Sequence, residues 1–358
     1  MKVLQVLPTL AFGDAVGNHT RALEFLLKDM GYETEIYALN IDKRLGEGKA
    51  KYIEELPELT SEDVVLYQLS TGSELNEVIP ELKCRKIVDY HNVTPPRFFK
   101  GISEELEERC RQGVEQVKKM ADVFDYGLAV SEFDKEDLVE MDYSCPIEVA
   151  PILIDFEDYR RSPNPEVMAH FQDDVTNIVF TGRIVPNKKQ EDIISSFYYY
   201  KKFFNPKSRL ILVGSGKGME QYLSKLKNYV KKLELEDSVL FTGHVKFNEI
   251  LAYYRIADVF LCMSEHEGFC VPLVEAMQFQ VPIVAYDSSA IGGTLGGSGI
   301  LLKEKDPLMT AGVIDRLMTD VRLRNQIIEG QKERLKDFSR ETVTARYREL
   351  FQRILQSS

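Results

Sequence analysis

Several features that would place this chain in a familiar class of protein are missing from its sequence. No apolar run is long enough to cross a membrane, and the short one at the N-terminus stops at Pro8. The five cysteines are odd in number and form no C-x-x-C spacing, which argues against a disulfide framework and against a zinc site. We therefore expect a protein of a reducing compartment, the cytoplasm.

Positive charge is also scarce in the first half of the chain. Residues 1–157 contain 17 Lys and Arg against 32 Asp and Glu, a balance of −15, whereas residues 158–358 contain 28 against 25. A region this acidic repels polyanions. We expect no nucleic-acid partner and no direct docking on an anionic membrane.

The order of apolar and amphipathic segments predicts the fold class. Short β-branched runs alternate with longer amphipathic stretches, which is typical of βα units that feed a parallel sheet. The alternation stops in the polar stretch 155–176, which we interpret as a linker. The sequence therefore predicts α/β architecture with two doubly wound parallel-sheet domains, one over residues 1–157 and one over residues 158–340.

One segment of the second half combines a loop with two carboxylates. A predicted strand ends before Ser264, and a helix is expected to begin near Pro272, because proline is favoured in a first helical turn. Backbone N–H groups of such a loop point toward the helix N-terminus and favour an anion. Glu267 precedes the loop, and Glu275 follows about one turn into the helix. Two glutamates at this spacing alone are more often solvated surface residues. The loop itself is formed by Gly268, Phe269, Cys270 and Val271.

A second strand-to-loop junction carries two cations. In the run Thr-Gly-Arg183-Ile-Val-Pro-Asn-Lys188, both side chains emerge at the carboxyl edge of the predicted sheet, where open α/β sheets bind ligands. Together they could neutralise a diphosphate. A basic surface loop is the alternative, but the neighbouring anion-binding loop favours a binding role.

Four motifs in order resemble those of a known family. They are Thr-Gly-Arg183 with Lys188, Leu-Val-Gly214-Ser-Gly216, Phe-Thr-Gly243-His-Val245, and Glu267-Gly-Phe with Glu275-Ala-Met. The set resembles the retaining GT-B glycosyltransferases of family 4, the glycosyl transferases group 1, and the spacing of the two glutamates matches that family's E-x7-E signature. The resemblance implies two Rossmann-like domains that face each other across a cleft, with a final helix at 341–358 that crosses back to the first domain.

The resemblance also implies roles for residues of the second half. Arg183 and Lys188 would bind the donor diphosphate together with the loop residues 268–271. Glu275 would hold the ribose, and Glu267 would contact the transferred sugar. His244 and Val245 would meet the nucleobase through backbone groups.

Two places in the first half follow predicted strands. Family members often have a double glycine after the first strand that lets the donor phosphates approach the backbone. This chain has Gly13, Asp14 and Ala15 there instead, which leaves open whether Gly13, Asp14 or Gly17 lines the donor. We assign Gly13 to the donor diphosphate, and Asp14, Gly17, Asn18 and His19 to the acceptor side. His91 follows another strand, at the position where the family often has a histidine near the transferred sugar.

The resemblance further implies a hexosyltransferase that retains the anomeric configuration by front-face attack. Because no D-x-D triplet occurs in the sequence, we expect catalysis without a metal or another cofactor, with Glu267 and His91 orienting the sugar and stabilising positive charge at C1. The donor would be of the UDP-glucose or GDP-mannose type. The acceptor would be a saccharide or a lipid-linked glycan of polysaccharide or glycoconjugate biosynthesis, reached at the inner face of the membrane through a partner protein.

Three other functions remain open at this point. A nucleotide-sugar 2-epimerase would isomerise the donor without an acceptor, and a sugar phosphorylase would require phosphate. A silent nucleotide-sugar-binding subunit would do neither. The presence of Arg183, Lys188, Glu267 and Glu275 argues against the silent subunit.

Overall fold

A computed structural model describes residues 1–356 of the 358-residue chain. The strands are β1 (Val3–Leu10), β2 (Ile36–Ile41), β3 (Lys51–Tyr52), β4 (Val64–Leu69), β5 (Arg85–Tyr90), β6 (Tyr126–Ala129), β7 (Ile147–Val149), β8 (Thr176–Thr181), β9 (Ser208–Val213), β10 (Val239–Gly243), β11 (Val259–Cys262), β12 (Ile283–Tyr286) and β13 (Ile300–Leu302). The α-helices are α1 (Ala15–Asp29), α2 (Leu75–Val78), α3 (Glu104–Lys119), α4 (Glu132–Glu140), α5 (Pro165–His170), α6 (Gln190–Phe203), α7 (Glu220–Lys232), α8 (Phe247–Arg255), α9 (Val271–Gln278), α10 (Ile291–Leu295), α11 (Pro307–Thr319), α12 (Val321–Leu335) and α13 (Arg340–Gln356).

The described chain divides into two compact units. Unit 1 comprises Met1–Lys100, Glu104–Asp155 and the described residues from Phe338 onward, and unit 2 comprises Gly101–Ser103 and Phe156–Asp337. The division after Asp155 falls two residues before the expected boundary.

Unit 1 contains a parallel sheet of seven strands in the order β3-β2-β1-β4-β5-β6-β7. The central strands are buried because helices cover both faces, which is why they read as continuous apolar runs. The final helix α13 belongs to this unit, where Tyr347 and Phe351 share a buried cluster with Val3 of β1 and Leu23 of α1. The strand order reverses between β1 and β4.

Unit 2 contains a parallel sheet of six strands in the order β10-β9-β8-β11-β12-β13. Its order reverses between β8 and β11. At such a switch point neighbouring connections leave toward opposite faces, and a crevice opens beyond the carboxyl ends of the two strands. The predicted α/β class with two doubly wound parallel sheets is confirmed.

The stretch interpreted as a linker is part of unit 2. Residues 155–176 lack a strand until Thr176, but they contain a 3₁₀ turn at Asp158–Arg160 and the helix α5, which is capped by Asn164 and packs on α8. Pro165 is the first residue of α5, a position where proline is favoured. Pro165 therefore marks the start of a helix and not an extended connection.

Candidate functional site

The switch point of unit 2 brings together the two loops that carry the predicted charged residues. One loop follows β8 and contains Arg183 and Lys188, and the other follows β11 and contains Glu267. Asn187 joins them: its side-chain amide donates to the carbonyl of His266 at 3.0 Å, and its own carbonyl accepts from the N–H of Glu265 at 2.8 Å. The three predicted residues Arg183, Lys188 and Glu267, which come from two motifs, thus line one edge of the sheet.

The loop after β8 runs beside the loop after β9. The N–H of Gly182 donates to the carbonyl of Val213, and the N–H of Ile184 donates to that of Ser215, both at 2.9 Å. A Cβ on Gly214 would lie 1.9 Å from the carbonyl oxygen of Gly182, so only glycine permits this approach. Arg183 emerges between these contacts with an exposed side chain.

Lys188 and Glu267 form a buried ion pair. The ammonium group of Lys188 donates to Oε2 of Glu267, whose side chain is 8% exposed. Burial lowers the pKa of Lys188, but the adjacent carboxylate more than offsets burial, and the pKa is raised from its ordinary value. Lys188 therefore stays cationic, and an arriving anion would share it with Glu267.

The loop between Glu267 and α9 is tightly held. Cys270 adopts a left-handed conformation with φ +70°, and the carbonyl of Phe269 accepts from Oγ1 of Thr294 at 2.5 Å. The carbonyl of Glu267 accepts from the N–H of Ala290 at 3.2 Å. Val271, expected in the loop, is the first residue of α9. A rigid turn thus presents a helix N-terminus, which favours an anion, beside Lys188.

Glu275 lies half-buried on α9 and accepts two hydrogen bonds. Tyr159 donates to Oε1 at 2.7 Å and Tyr254 donates to Oε2 at 2.6 Å. Burial raises the pKa of Glu275, and the two hydroxyl donors oppose that rise. The carboxylate is therefore held in one orientation, with capacity left to accept further hydrogen bonds, since ionised carboxylates offer about four acceptor positions.

His244 and Val245 follow β10, next to the loop after β9. Gly243 forms an isolated bridge with Gly214, which places the start of this segment beside the loops after β8 and β9. His244 is exposed, whereas Val245 is half-buried against the cluster of Phe171, Val179 and Ile211.

In unit 1, His91 follows β5 and has one free ring nitrogen. Its Nε2 donates to Oε1 of Gln68 at 2.7 Å, and Gln68 in turn donates to Gln5 at 3.5 Å. The Nδ1 atom is buried and has no partner within the described residues 1–356. A buried acceptor without a donor requires an explanation, and a hydroxyl-bearing ligand is one.

His19 is fully buried and forms its hydrogen bonds inside unit 1. Its Nδ1 accepts from the N–H of Leu153 at 2.9 Å, so Nε2 carries the proton and donates to Oδ2 of Asp89 at 3.0 Å. The ring also packs edge-on against His91, with centroids 5.4 Å apart. His19 therefore positions Asp89 and His91 and has no exposed atom to offer a ligand.

The other predicted residues in and after the loop that follows β1 differ in their exposure to solvent. Gly13 is exposed with φ +74°. Asp14 caps α1 by accepting from the N–H of Gly17 at 3.1 Å, and Asn18 is exposed. Gly17 is buried, and a Cβ there would lie 2.8 Å from the carbonyl of Ala11. Gly13, Asp14 and Asn18 are therefore the exposed members of this group.

Two groups of possible metal ligands occur within residues 1–356. They are His19, Asp89 and His91 in unit 1, and Cys262, Glu267 and Cys270 in unit 2, and the ligand atoms of each group lie within 4.8 Å of one another. In the first group both ring nitrogens of His19 are engaged, and in the second group Lys188 engages Glu267. Internal bonds therefore account for most of these polar atoms.

The pKa of His91 predicts a pH dependence of stability. Burial lowers this pKa to about 4, with Asp89 opposing and His19 adding to the shift. The unfolded chain takes up the proton near pH 6.5, but the folded chain does so only near pH 4. As the pH falls from 7.5 to 5.0, protonation favours the unfolded state, and His91 should lower the free energy of unfolding by about 2 kcal/mol.

Urea unfolding of the wild type and of His91→Gln at both pH values checks this. Glutamine removes the titration but keeps a donor toward Gln68. The wild type should lose about 2 kcal/mol more than the variant between pH 7.5 and 5.0. Equal losses would mean that His91 titrates normally and is not buried.

Sequence reasoning missed the residues that orient the predicted ones. Tyr159 and Tyr254 hold Glu275, Asp89 lies between the two histidines, and Asn187 joins the loops. For Asp89 and Asn187 a signal was present, since each lies within two residues of a predicted site residue. The two tyrosines come from distant segments and carried no local signal.

The structure of the chain is similar to those of solved proteins. Sucrose-phosphate synthase from Thermosynechococcus elongatus aligns over 100% of both chains with a TM-score of 0.77 and 15% identity. The Anabaena protein Alr3699/HepE in complex with UDP-glucose aligns over 99% of this chain and 100% of its own, with a TM-score of 0.76 and 16% identity. This likeness establishes the fold, which is the predicted GT-B fold.

The family follows from the sequence. Residues 169–334 match the sequence model of the glycosyl transferases group 1. An uncharacterized glycosyltransferase of Methanocaldococcus jannaschii is 30% identical over 167 residues, 45% of this chain and 40% of the relative. The chain spans less than half the length of the first curated relatives that it matches. The resemblance to the glycosyl transferases group 1 that the four motifs indicated is confirmed.

No helix within residues 1–356 has the length and apolar character needed to cross a bilayer.

Proposed function

We propose that the chain transfers a hexose from a nucleoside diphosphate sugar to a hydroxyl of a saccharide or lipid-linked glycan, with retention of configuration. The observation that carries the proposal is the constellation at the switch point of unit 2. Lys188 and Arg183 supply positive charge beside the N-terminus of α9, and carboxylates stand before and within that helix. A diphosphate with a sugar on one side and a ribose on the other has matching charges and hydroxyls.

Each residue then has a defined task. Arg183, Lys188 and the backbone of residues 268–271 bind the diphosphate, and Glu275, fixed by its two tyrosines, accepts from the ribose hydroxyls. Residues 244 and 245 meet the base through backbone groups. Glu267 contacts the transferred sugar and stabilises positive charge at C1.

Transfer requires one bond exchange and one proton transfer. The bond from C1 to the phosphate oxygen breaks, the acceptor oxygen bonds to C1 on the same face, and the acceptor proton passes to the leaving phosphate. The negative charge that develops on the leaving group is met by Lys188, Arg183 and the α9 N-terminus, which are already in place. None of these steps uses a metal ion or another cofactor.

Unit 1 would supply the acceptor side, with Asp14 and Asn18 as contacts, while Gly13 would face the donor diphosphate and His91 the transferred sugar. His91 stays neutral well below pH 7, and its Nδ1 is an acceptor held in place through Gln68. We propose that this atom accepts a hydrogen bond from a sugar hydroxyl. The unpartnered state of Nδ1 supports the assignment.

Two observations bear on the donor and the compartment. The complex of the Anabaena protein with UDP-glucose makes UDP-glucose the first donor to test, and GDP-mannose the second. Five free thiols fit a reducing compartment, the cytoplasm.

Incubation with each donor, with and without acceptor glycans, tests the function. Slow release of free UDP or GDP and hexose without acceptor, and a glycoside of unchanged anomeric configuration with it, is the expected result. Isomerised donor would indicate an epimerase, and turnover that requires phosphate would indicate a phosphorylase. No reaction despite donor binding would leave only the binding subunit.

Turnover is expected to survive EDTA, because the cationic side chains and the α9 N-terminus take the place of a metal on the diphosphate. Initial rates with and without EDTA should agree within about twofold. A chelator concentration of about 10 mM is suitable, because it far exceeds the concentration of trace metal ions. Loss of turnover on chelation, with recovery on addition of Mn²⁺ or Mg²⁺, would overturn the metal-free mechanism.

A further inference from the structure

The outer side of α6 and α7 carries a surface of lysines and aromatic rings. We call it the α6–α7 face and define it by Tyr199, Lys202, Phe203, Lys225, Tyr229 and Lys232. The phenyl ring of Phe203 is 58% exposed, and the three lysines are exposed. An exposed ring of this size contributes nothing to the core of unit 2.

The two helices are fastened side by side. The hydroxyls of Ser195 on α6 and Tyr229 on α7 lie 2.8 Å apart. On α7, Lys225 and Lys232 lie four residues before and three after Tyr229, so all three share one side of the helix. On α6, Tyr199 and Phe203 follow Ser195 at successive intervals of four residues. The six residues therefore belong to one continuous surface.

The rings and the lysine of α6 are held together. Tyr199 and Phe203 stack with centroids 5.9 Å apart, and the ammonium group of Lys202 lies 5.6 Å from the centroid of Phe203 and 5.0 Å from that of Tyr198. These contacts hold the aromatic rings and the ammonium group of Lys202 next to each other on the surface.

The charge of this region is opposite to that of the chain. Residues 190–232 contain nine Lys and Arg against three Asp and Glu, a balance of +6 in a chain of −12. The acids are engaged elsewhere: Asp192 pairs with Lys305 at 2.7 Å, Glu191 accepts from Tyr222, and Glu220 accepts from the N–H of Gly218 at 2.9 Å. Lys207 and Arg209 pair with Asp174 and Asp173, whereas no ion pair within residues 1–356 engages Lys202, Lys225 or Lys232. These three lysines can therefore act on a partner outside the chain.

We propose that the α6–α7 face docks the protein directly on the surface of an anionic phospholipid bilayer. Lysines near such a surface are attracted by its negative potential, and aromatic rings settle at the level of the headgroups. The acidic balance of residues 1–157, which suggested recruitment through a partner, does not oppose this, because charges are screened beyond about 8 Å at physiological ionic strength. Docking depends on the local charge and is independent of the proposed transfer activity.

Vesicle sedimentation of the full chain tests the proposal. Phosphatidylglycerol vesicles should retain the protein at 50 mM salt and release it at 500 mM, concentrations that move the Debye length from roughly 14 to 4 Å. Phosphatidylcholine vesicles should not retain it. Absence of binding to phosphatidylglycerol, or equal binding to both lipids, would overturn the proposal.

Two variants locate the surface. Lys202→Gln, Lys225→Gln and Lys232→Gln together should weaken binding on the order of 100-fold, since each lysine contributes about fivefold. Phe203→Ser should weaken it about fivefold without removing the salt dependence. Unchanged binding of the triple variant would overturn the proposal.

A matched control separates this face from net charge. Lys49→Gln, Lys83→Gln and Lys119→Gln together remove three exposed lysines of unit 1 and change the net charge by the same amount. This control should bind like the wild type, and equal loss would contradict a local docking face. A heparin or RNA competitor that binds more tightly than the vesicles would reassign the face to another polyanion and also overturn the proposal.

Discussion

Replacement of Glu275 by alanine is expected to lower the affinity for the nucleoside diphosphate about 10- to 100-fold. In its proposed role Glu275 accepts charge-assisted hydrogen bonds from the ribose, each of which contributes on the order of 1.5–3 kcal/mol, and the variant lacks them. The carboxylate is held ready by Tyr159 and Tyr254, so little ordering cost offsets the bonds formed on binding. Titration calorimetry with UDP and with GDP gives the result directly.

The alanine variant also removes the carboxylate that accepts from both tyrosine hydroxyls, and loss of these two bonds costs on the order of 1–3 kcal/mol of stability, although Tyr254 keeps Oγ1 of Thr181 within reach. Glu275→Gln is therefore the companion variant, because an amide oxygen still accepts from one tyrosine while the charge is lost. Glu236→Gln, an exposed residue before β10, controls for net charge. Unchanged nucleotide affinity in a folded Glu275→Ala would show that the nucleotide does not lie on α9.

Glu267→Gln is expected to reduce kcat on the order of 100-fold while nucleotide affinity changes less than threefold. The amide keeps the shape of the side chain but removes the charge that is proposed to stabilise C1. Loss of one preorganised electrostatic group commonly lowers kcat roughly 100- to 1,000-fold. Lys188, released from its ion pair, stays available to the diphosphate. Steady-state kinetics and UDP titration together separate the two effects.

Glu265→Gln is the matched control for this variant. Glu265 lies two residues earlier in the same loop and pairs with Lys305 at 2.8 Å and Lys189 at 3.5 Å. Its replacement should change kcat less than fivefold. A Glu267→Gln enzyme with normal kcat, or with a loss confined to nucleotide affinity, would remove Glu267 from the chemistry.

Local sequence patterns predicted most of the fold. Eleven of the thirteen described strands coincide with apolar, β-branched runs bounded by polar segments, which are typical of buried parallel strands. The two missed strands, β3 (Lys51–Tyr52) and β13 (Ile300–Leu302), have two and three residues, too few for a periodicity. The polar stretch 155–176 was interpreted as a linker, and its Pro165 could not correct this, because a proline alone does not distinguish a helix start from an extended connection.

The part of the candidate site that depends on the order of strands and loops along the sequence was predictable. Motifs that follow strands must lie at the carboxyl edge, so Arg183, Lys188 and Glu267 could be placed together from their order alone. The bonds that orient them join distant segments: Tyr159 reaches Glu275 across 116 residues. No local pattern encodes such a contact.

The burial of His19 was open to prediction but was not predicted. His19 lies four residues before Leu23 and seven before Leu26, in the apolar row of α1, and all three are buried. This periodicity indicates an inward-facing residue. Its position after a strand suggested a ligand contact instead, and the helical pattern was the stronger signal.

The binding of a nucleoside diphosphate sugar by unit 2 is tested most directly by thermal unfolding with a panel of UDP- and GDP-sugars. One nucleotide should raise Tm of the wild type, since a ligand at 100 times its Kd adds about 2.7 kcal/mol of stability. At the same concentration the increase should be largely lost in Glu275→Ala and retained in Glu236→Gln. A wild type whose Tm no UDP- or GDP-sugar raises at millimolar concentration, or an increase that Glu275→Ala shares in full, would contradict the assignment.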